Sequence, residues 1–157
     1  MFKKVLRKSL LVEPEGPATA FGHLVLRVSV GLMIFYIHGL HKLEGGIAYL
    51  QHGTPWKLAE EVAEMHFPAP VPSAFAATAV QFCCSLLLVA GVLTRLNALL
   101  LVATLSVAIL QNLLAQRDPQ LALLYVIVAL AMVFLGGGKW SADAKLSGLM
   151  ERNRSNA

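Results

Sequence analysis

Long apolar runs separated by short charged clusters organise the chain. Leu96 to Gln116 is 21 residues without an Asp, Glu, Lys or Arg, and Pro119 to Gly138 is another such run of 20. At about 1.5 Å per residue, a helix of that length crosses the roughly 30 Å hydrocarbon core of a bilayer. The pattern predicts four membrane-spanning helices at about 21–41, 71–92, 96–116 and 119–138, the first interrupted by Arg27. Only Leu93 to Arg95 separates the second and third spans, so these two are antiparallel neighbours. Asp118 followed by Pro119 is a helix start, and Gly136-Gly137-Gly138 suits a helix end.

Lys42 to Pro70 reads as the one long connection. Within it Thr54-Pro55 opens a short amphipathic helix in which Leu58, Val62 and Met65 share a face opposed by Glu60, Glu61 and Glu64. It serves either as a lid over an outward cavity or as an interfacial anchor with Trp56 at headgroup level. Beyond the fourth span, Ser141 is a suitable N-cap. Leu146, Leu149 and Met150 line a second interfacial helix ending near Arg154. The expected fold is therefore all-α: a polytopic membrane four-helix bundle with an amphipathic helix in its first outer loop and a C-terminal interfacial helix. It divides into a basic segment 1–20, a membrane domain 21–138 and a tail 139–157.

Composition supports the bilayer. Of 157 residues 57% are hydrophobic and 14% charged, with a mean hydropathy of +0.65. Soluble domains average about 45–50% and 25%. The spans leave no room for a separate soluble domain, and a net charge of +4 makes no case for nucleic acid. Nine Lys and Arg gather on one side, in the N-terminal segment, at Arg95 and in the tail, against Lys42, Lys57 and Arg117 on the other. The positive-inside rule then puts both termini in the cytoplasm of a bacterial-type inner membrane. Leu10-Leu11-Val12 is too short for the apolar core of a secretory signal, so no cleavage is expected. Cys83 and Cys84 are adjacent, diverge on a helix, and read as packing residues rather than a dithiol.

Ionisable and amide side chains inside a span are costly and carry the functional hypotheses. Steps of four, three, four and three join Arg27, Gly31, Ile34, His38 and His41 into one helical stripe, expected to face the bundle interior. Arg27 and Gln81 read as structural polar residues, Arg27 satisfied by carbonyls, Ser85 or Thr104. His38 and His41 are compatible with a metal, a haem, a quinone hydrogen bond or a proton step. Two histidines are too few for a closed metal site, and none is expected. With Gln111, Asn112 and Tyr125 they are the candidates for one outward-facing ligand pocket.

These residues also carry a family resemblance. Leu26-Arg27, Gly31 and His38-Gly39-Leu40-His41-Lys42-Leu43 resemble the Leu-Arg…Gly…His-Gly-x-x-Lys-Leu signature of DoxX proteins, small four-helix membrane proteins. Gly91-Val92-Leu93-Thr94-Arg95 is similar to that family's Gly-x-x-Thr-Arg junction, and Gly136-Gly137-Gly138-Lys139-Trp140-Ser141-Ala142-Asp143 to its Gly-x-Gly-x-x-Ser-x-Asp. Leu123-Leu124-Tyr125 also fits. The chain departs from the family in carrying Gln81, where members often have Glu, and Gln111-Asn112, where many have His. Some members resemble the membrane subunit of thiosulfate:quinone oxidoreductase. The resemblance implies a membrane subunit of a quinone-linked redox system, with a quinone as the cofactor candidate and a membrane or soluble redox protein, or a second copy, as partner. The chain has no flavin, haem-attachment or iron–sulfur motif of its own. A non-enzymatic anchor or assembly scaffold for a redox or stress-response partner is the alternative. A small-solute carrier is the weakest reading, because no inverted repeat or broken span is visible.

Overall fold

The computed structural model describes residues 16–155, and the side chains of residues 16–148. The basic N-terminal segment thus lies outside the described residues up to 15. Every regular element among them is helical: α1 Pro17–His52, α2 Lys57–Glu64, α3 Pro70–Ala90, α4 Thr94–Leu114, α5 Gln120–Leu135 and α6 Ala142–Ser155. Three of these, α1, α3 and α4, are long and apolar enough to cross a membrane. The fourth apolar helix, α5, has 16 residues and packs along α4.

The helices meet through a narrow seam of small and branched side chains. Ile34, Leu88, Ala98, Leu101, Ala129 and Met132 are fully buried. Leu99, Leu110, Leu113, Ile127 and Phe134 point outward and stay exposed. A surface this apolar is unusual for a protein in water and is the surface a bilayer covers. The turn from α3 to α4 closes in the manner of a Schellman motif: Gly91, at φ 71°, donates its N–H to Leu88 O, and Val92 donates to Leu87 O.

Three expectations need correction. First, Lys42 does not begin a loop. A charge does not by itself end a helix, and α1 continues to His52, where Gly53 in the left-handed region stops it. Residues 53–56 are all that separate it from α2. Second, α2 starts at Lys57 rather than at Thr54-Pro55. Trp56 is 5% exposed and packs on Phe75 at 4.6 Å between ring centroids, beneath Gly45 and Gly46. Third, α5 ends at Leu135, because Gly136 to Gly138 form a turn with two positive φ values rather than a last helical turn. Pro119 rather than Asp118 holds the N-cap position of α5, and Asp118, one residue ahead, accepts the Gln120 N–H at 2.8 Å.

Two widened π segments, Ile34–Leu40 in α1 and Val80–Cys84 in α3, lie against each other. Gly39 makes the approach possible, since a Cβ there would sit 3.0 Å from both the Gln81 carbonyl oxygen and the Phe82 Cα. A π turn bonds i to i+5 and spends one more residue per turn than an α turn. The inward face of α1 therefore lags by about one residue. Arg27, Gly31 and Ile34 are buried as the stripe requires, His38 is half-buried, and His41 has rotated out and is exposed. Lys42 takes the inward place that uninterrupted α-helical spacing assigned to His41.

Candidate functional site

Polar side chains gather at the two ends of the bundle. The tail end holds residues 91–95 and 136–144; the loop end holds residues 53–69 and 115–119.

At the tail end Arg27 is 1% exposed. Its guanidinium donates to the carbonyls of Leu88 at 2.9 Å, Val89 at 3.0 Å and Trp140 at 3.0 Å, so one side chain ties α1 to the end of α3 and the start of the tail. Asp143 accepts the N–H of Leu93 at 2.7 Å, the N–H of Thr94 at 2.9 Å and the Thr94 hydroxyl at 2.8 Å, capping α4 from a distance of about fifty residues in sequence. Its own N–H donates to Gly91 O at 2.9 Å. Ser141 accepts the Ala144 N–H at 3.1 Å, as an N-cap should. Gly91 cannot carry a side chain, because a Cβ would collide with the Arg27 guanidinium and Ser141. Burial works to raise the Asp143 carboxyl, but the hydrogen bonds from Thr94 and Leu93 and the Arg27 charge outweigh it and hold its pKa below the ordinary carboxylate value.

At the loop end lies a cavity of about 290 Å³. Leu58 and Val62 of α2, with Met65 just past its end, roof it; α3 and α4 form its walls. The lining is apolar except for a few groups, chiefly Lys42, Gln81, Thr104 and Gln111. Gln81 is 1% exposed, yet its Oε1 has no hydrogen-bond partner. Lys42 makes no hydrogen bond or ion pair among the described residues. The roof is pinned by an ion pair: Arg117, beyond α4, donates to Glu61 of α2 at 2.7 Å.

The five pocket candidates are not brought together around this cavity. Gln111 lines it. The half-buried His38 ring instead meets Tyr125 edge-on at 5.7 Å between centroids, and the Tyr125 hydroxyl is buried without a partner. His41 is exposed and Asn112 half-buried, neither on the lining. Cys84 is buried and Cys83 exposed, and neither is in a disulfide. Of the structural polar pair, Arg27 donates through its two Nη atoms to carbonyls rather than to Ser85 or Thr104, and its buried Nε has no partner. Gln81, expected as interhelical glue, is a cavity residue. Lys42 escaped the sequence reading as a site residue, although it stands in the family signature quoted above. The signal was there in its spacing of four from His38, once the inward face is allowed to lag.

A helical bundle with three bilayer-length apolar helices and a lipid-compatible surface defines a multi-pass integral membrane protein. The sequence model of the DoxX family matches residues 22–115, from α1 through α4. The chain belongs to the DoxX family. No curated protein and no solved structure matches it.

Proposed function

We propose that this protein is a membrane subunit of a quinone-linked redox system, and that the loop-end cavity takes the quinone head. The observation that carries the reading is the cavity itself. It is an apolar space near the lower end of ligand-pocket size, with one cation and two amides converging on it from three helices. A quinone ring presents flat apolar faces to Leu58, Val62 and Met65 and carbonyl oxygens to Lys42, Gln81 and Gln111. With no flavin, haem or iron–sulfur motif in the chain, electrons pass between the bound ring and a partner protein. The charge asymmetry supports a plasma-membrane orientation with both termini cytoplasmic and the cavity facing outward.

Binding tests the reading directly. The full chain in lipid nanodiscs should bind decylbenzoquinone or decylhydroquinone, and Lys42→Met should weaken that binding about tenfold, the scale of one charge-assisted hydrogen bond. If neither ring binds, the cavity is not a quinone site and the anchor or scaffold role becomes the better account. Orientation is checked by reporters fused after Ala157. A reporter active only after export should stay silent there.

A further inference from the structure

The loop-end cavity is roofed toward the aqueous end and open toward the lipid. Over its top lie the buried Leu58 and Val62, on a helix that the Arg117–Glu61 pair holds down. Its side is different. Ala76 on α3, with Ala103 and Val107 on α4, lines the cavity and is at the same time exposed. Ala76 shares a stripe of exposed residues with Pro72 and Ala79, in steps of four and three. Ala103 and Val107 continue into the exposed Leu110 and Leu114 in the same rhythm. Helical residues at that spacing share a face, and an exposed face on an apolar span meets lipid. The cavity therefore has a lateral mouth between α3 and α4.

The mouth follows from how α3 packs. Residues 80–90 carry most of its contact with α4, while the first half, Pro70–Ala79, leans on α1 and α2. The two helices thus part toward the loop end. Small side chains keep the gap from filling: Ala76 and Ala77 on one side, Ala103 and Ala108 on the other. The lining takes in residues 73–81 of α3 and 103–111 of α4, a run of about 12 Å along each helix. An apolar chain gains nothing by hydrophobic transfer from lipid into such a gap. Its place there is a matter of geometry: a head seated at Lys42 beneath the roof leaves a long tail its way out through the mouth.

We propose that the loop-end cavity is loaded from the bilayer, and that its ligand is a long-tailed amphiphile whose head accepts from Lys42 while its tail lies between α3 and α4. The head is that of the quinone reading, on which this step rests; the tail and its route are added by the lateral mouth.

Ala76→Phe combined with Ala103→Phe plugs the mouth with apolar side chains at lipid-facing positions and should leave the fold intact. Ala79→Phe, on the exposed stripe but off the lining, is the matched control. In nanodiscs the plugged full chain should bind decylbenzoquinone at least about tenfold more weakly than the wild type, the scale of forcing an extra side chain into a packed space. Methylbenzoquinone has no tail to house and should keep its affinity while binding more slowly. Ala79→Phe should change neither. Palmitate carrying a mid-chain diazirine gives a second readout, and stands in for methylbenzoquinone where that ring binds too weakly to read. On irradiation it should label residues 73–81 and 103–111 of the wild type and lose that labelling in the plugged chain. Undiminished decylbenzoquinone binding in the plugged chain, an equal loss for both rings, or the same loss in Ala79→Phe overturns the inference and keeps the quinone reading. If neither ring binds the wild type, the quinone reading falls and the palmitate map decides: labelling that the plug removes supports the lateral mouth, and labelling that survives the plug overturns it. Were the plugged chain not to fold, label concentrated at the mouth of the wild type supports the inference, and label spread evenly over the lipid-facing surface overturns it.

Discussion

The tail end and the loop end of the bundle use polar residues in opposite ways. At the tail end Arg27 makes three hydrogen bonds to carbonyls and Asp143 accepts three, and glycine at position 91 lets the two come within reach of the same turn. At the loop end Lys42 and Gln81 line a space and make no side-chain hydrogen bond to the protein among the described residues. A hydrogen-bonded network between helix ends specifies one arrangement of backbone, even with Arg27 Nε left unpaired, whereas unpaired groups around a cavity leave room for a ligand. The contrast sorts the family signature by physical role. Leu26-Arg27, Gly91-x-x-Thr94 and Ser141-x-Asp143 are far apart in sequence but form one knot, and they serve architecture. Lys42, at the other end of the same first motif, serves the cavity.

Mutations sharpen the contrast, beginning with the largest effects. Arg27→Ala should destabilise the fold by about 3 kcal/mol or more, because one buried and two part-buried carbonyls lose a charged donor. Gly91→Val should be as severe, since it adds strain at φ 71° to a collision with Arg27. Thermal melts in detergent read both, and a wild-type melt for either variant would dissolve the distinction between the two ends. Asp143→Ala removes the cap of α4 and should cost about 1–2 kcal/mol.

The same carboxylate gives a pH signature. Its folded pKa is lowered, so the stability it contributes is present above the ordinary carboxylate value near 4 and is lost as pH falls through the folded value. Melts taken between about pH 6 and pH 3 should therefore fall less steeply in Asp143→Asn than in the wild type.

At the loop end the effects on stability should be small. Arg117→Ala breaks an ion pair whose arginine side chain is 50% exposed, and should leave the melt nearly unchanged. Its readout is faster exchange of backbone amides in α2, the helix the pair holds over the cavity. Unchanged exchange would show that the Trp56 packing alone secures the roof.

Much of this architecture is legible in the sequence, because bilayer-length apolar runs and glycine turns are local or compositional signals. Ser141 caps where its position suggests, Asp118 bonds the first N–H of α5 from one residue ahead of the cap, and of the two cysteines only Cys84 is buried as a packing residue. The site is less legible, and the reason lies in the π segments. Helical spacing extrapolated from Arg27 is correct as far as Ile34 and then misassigns the inward face by about one residue, so it points to His41 in place of Lys42. Nothing in Ile34 to Leu40 announces widened turns; they arise where Gly39 lets α1 press against the backbone of α3. Long-range ties such as Asp143 to Thr94 are equally invisible to periodicity, because they depend on where the tail folds back.

The shortness of α5 has a consequence for the surrounding lipid. Sixteen residues rise about 24 Å, some 6 Å less than a typical hydrocarbon core. The 36 residues of α1 rise about 54 Å, so that helix must tilt or project well past the lipid. The protein thus meets its membrane with a lopsided girth. Acyl chains beside α5 are compressed or spread, at a cost of fractions of a kcal/mol per Å, and the bilayer dips toward that flank. Lipids with shorter tails relieve that compression, so the fold carries a built-in preference for thinner membrane and for neighbours that share the dip.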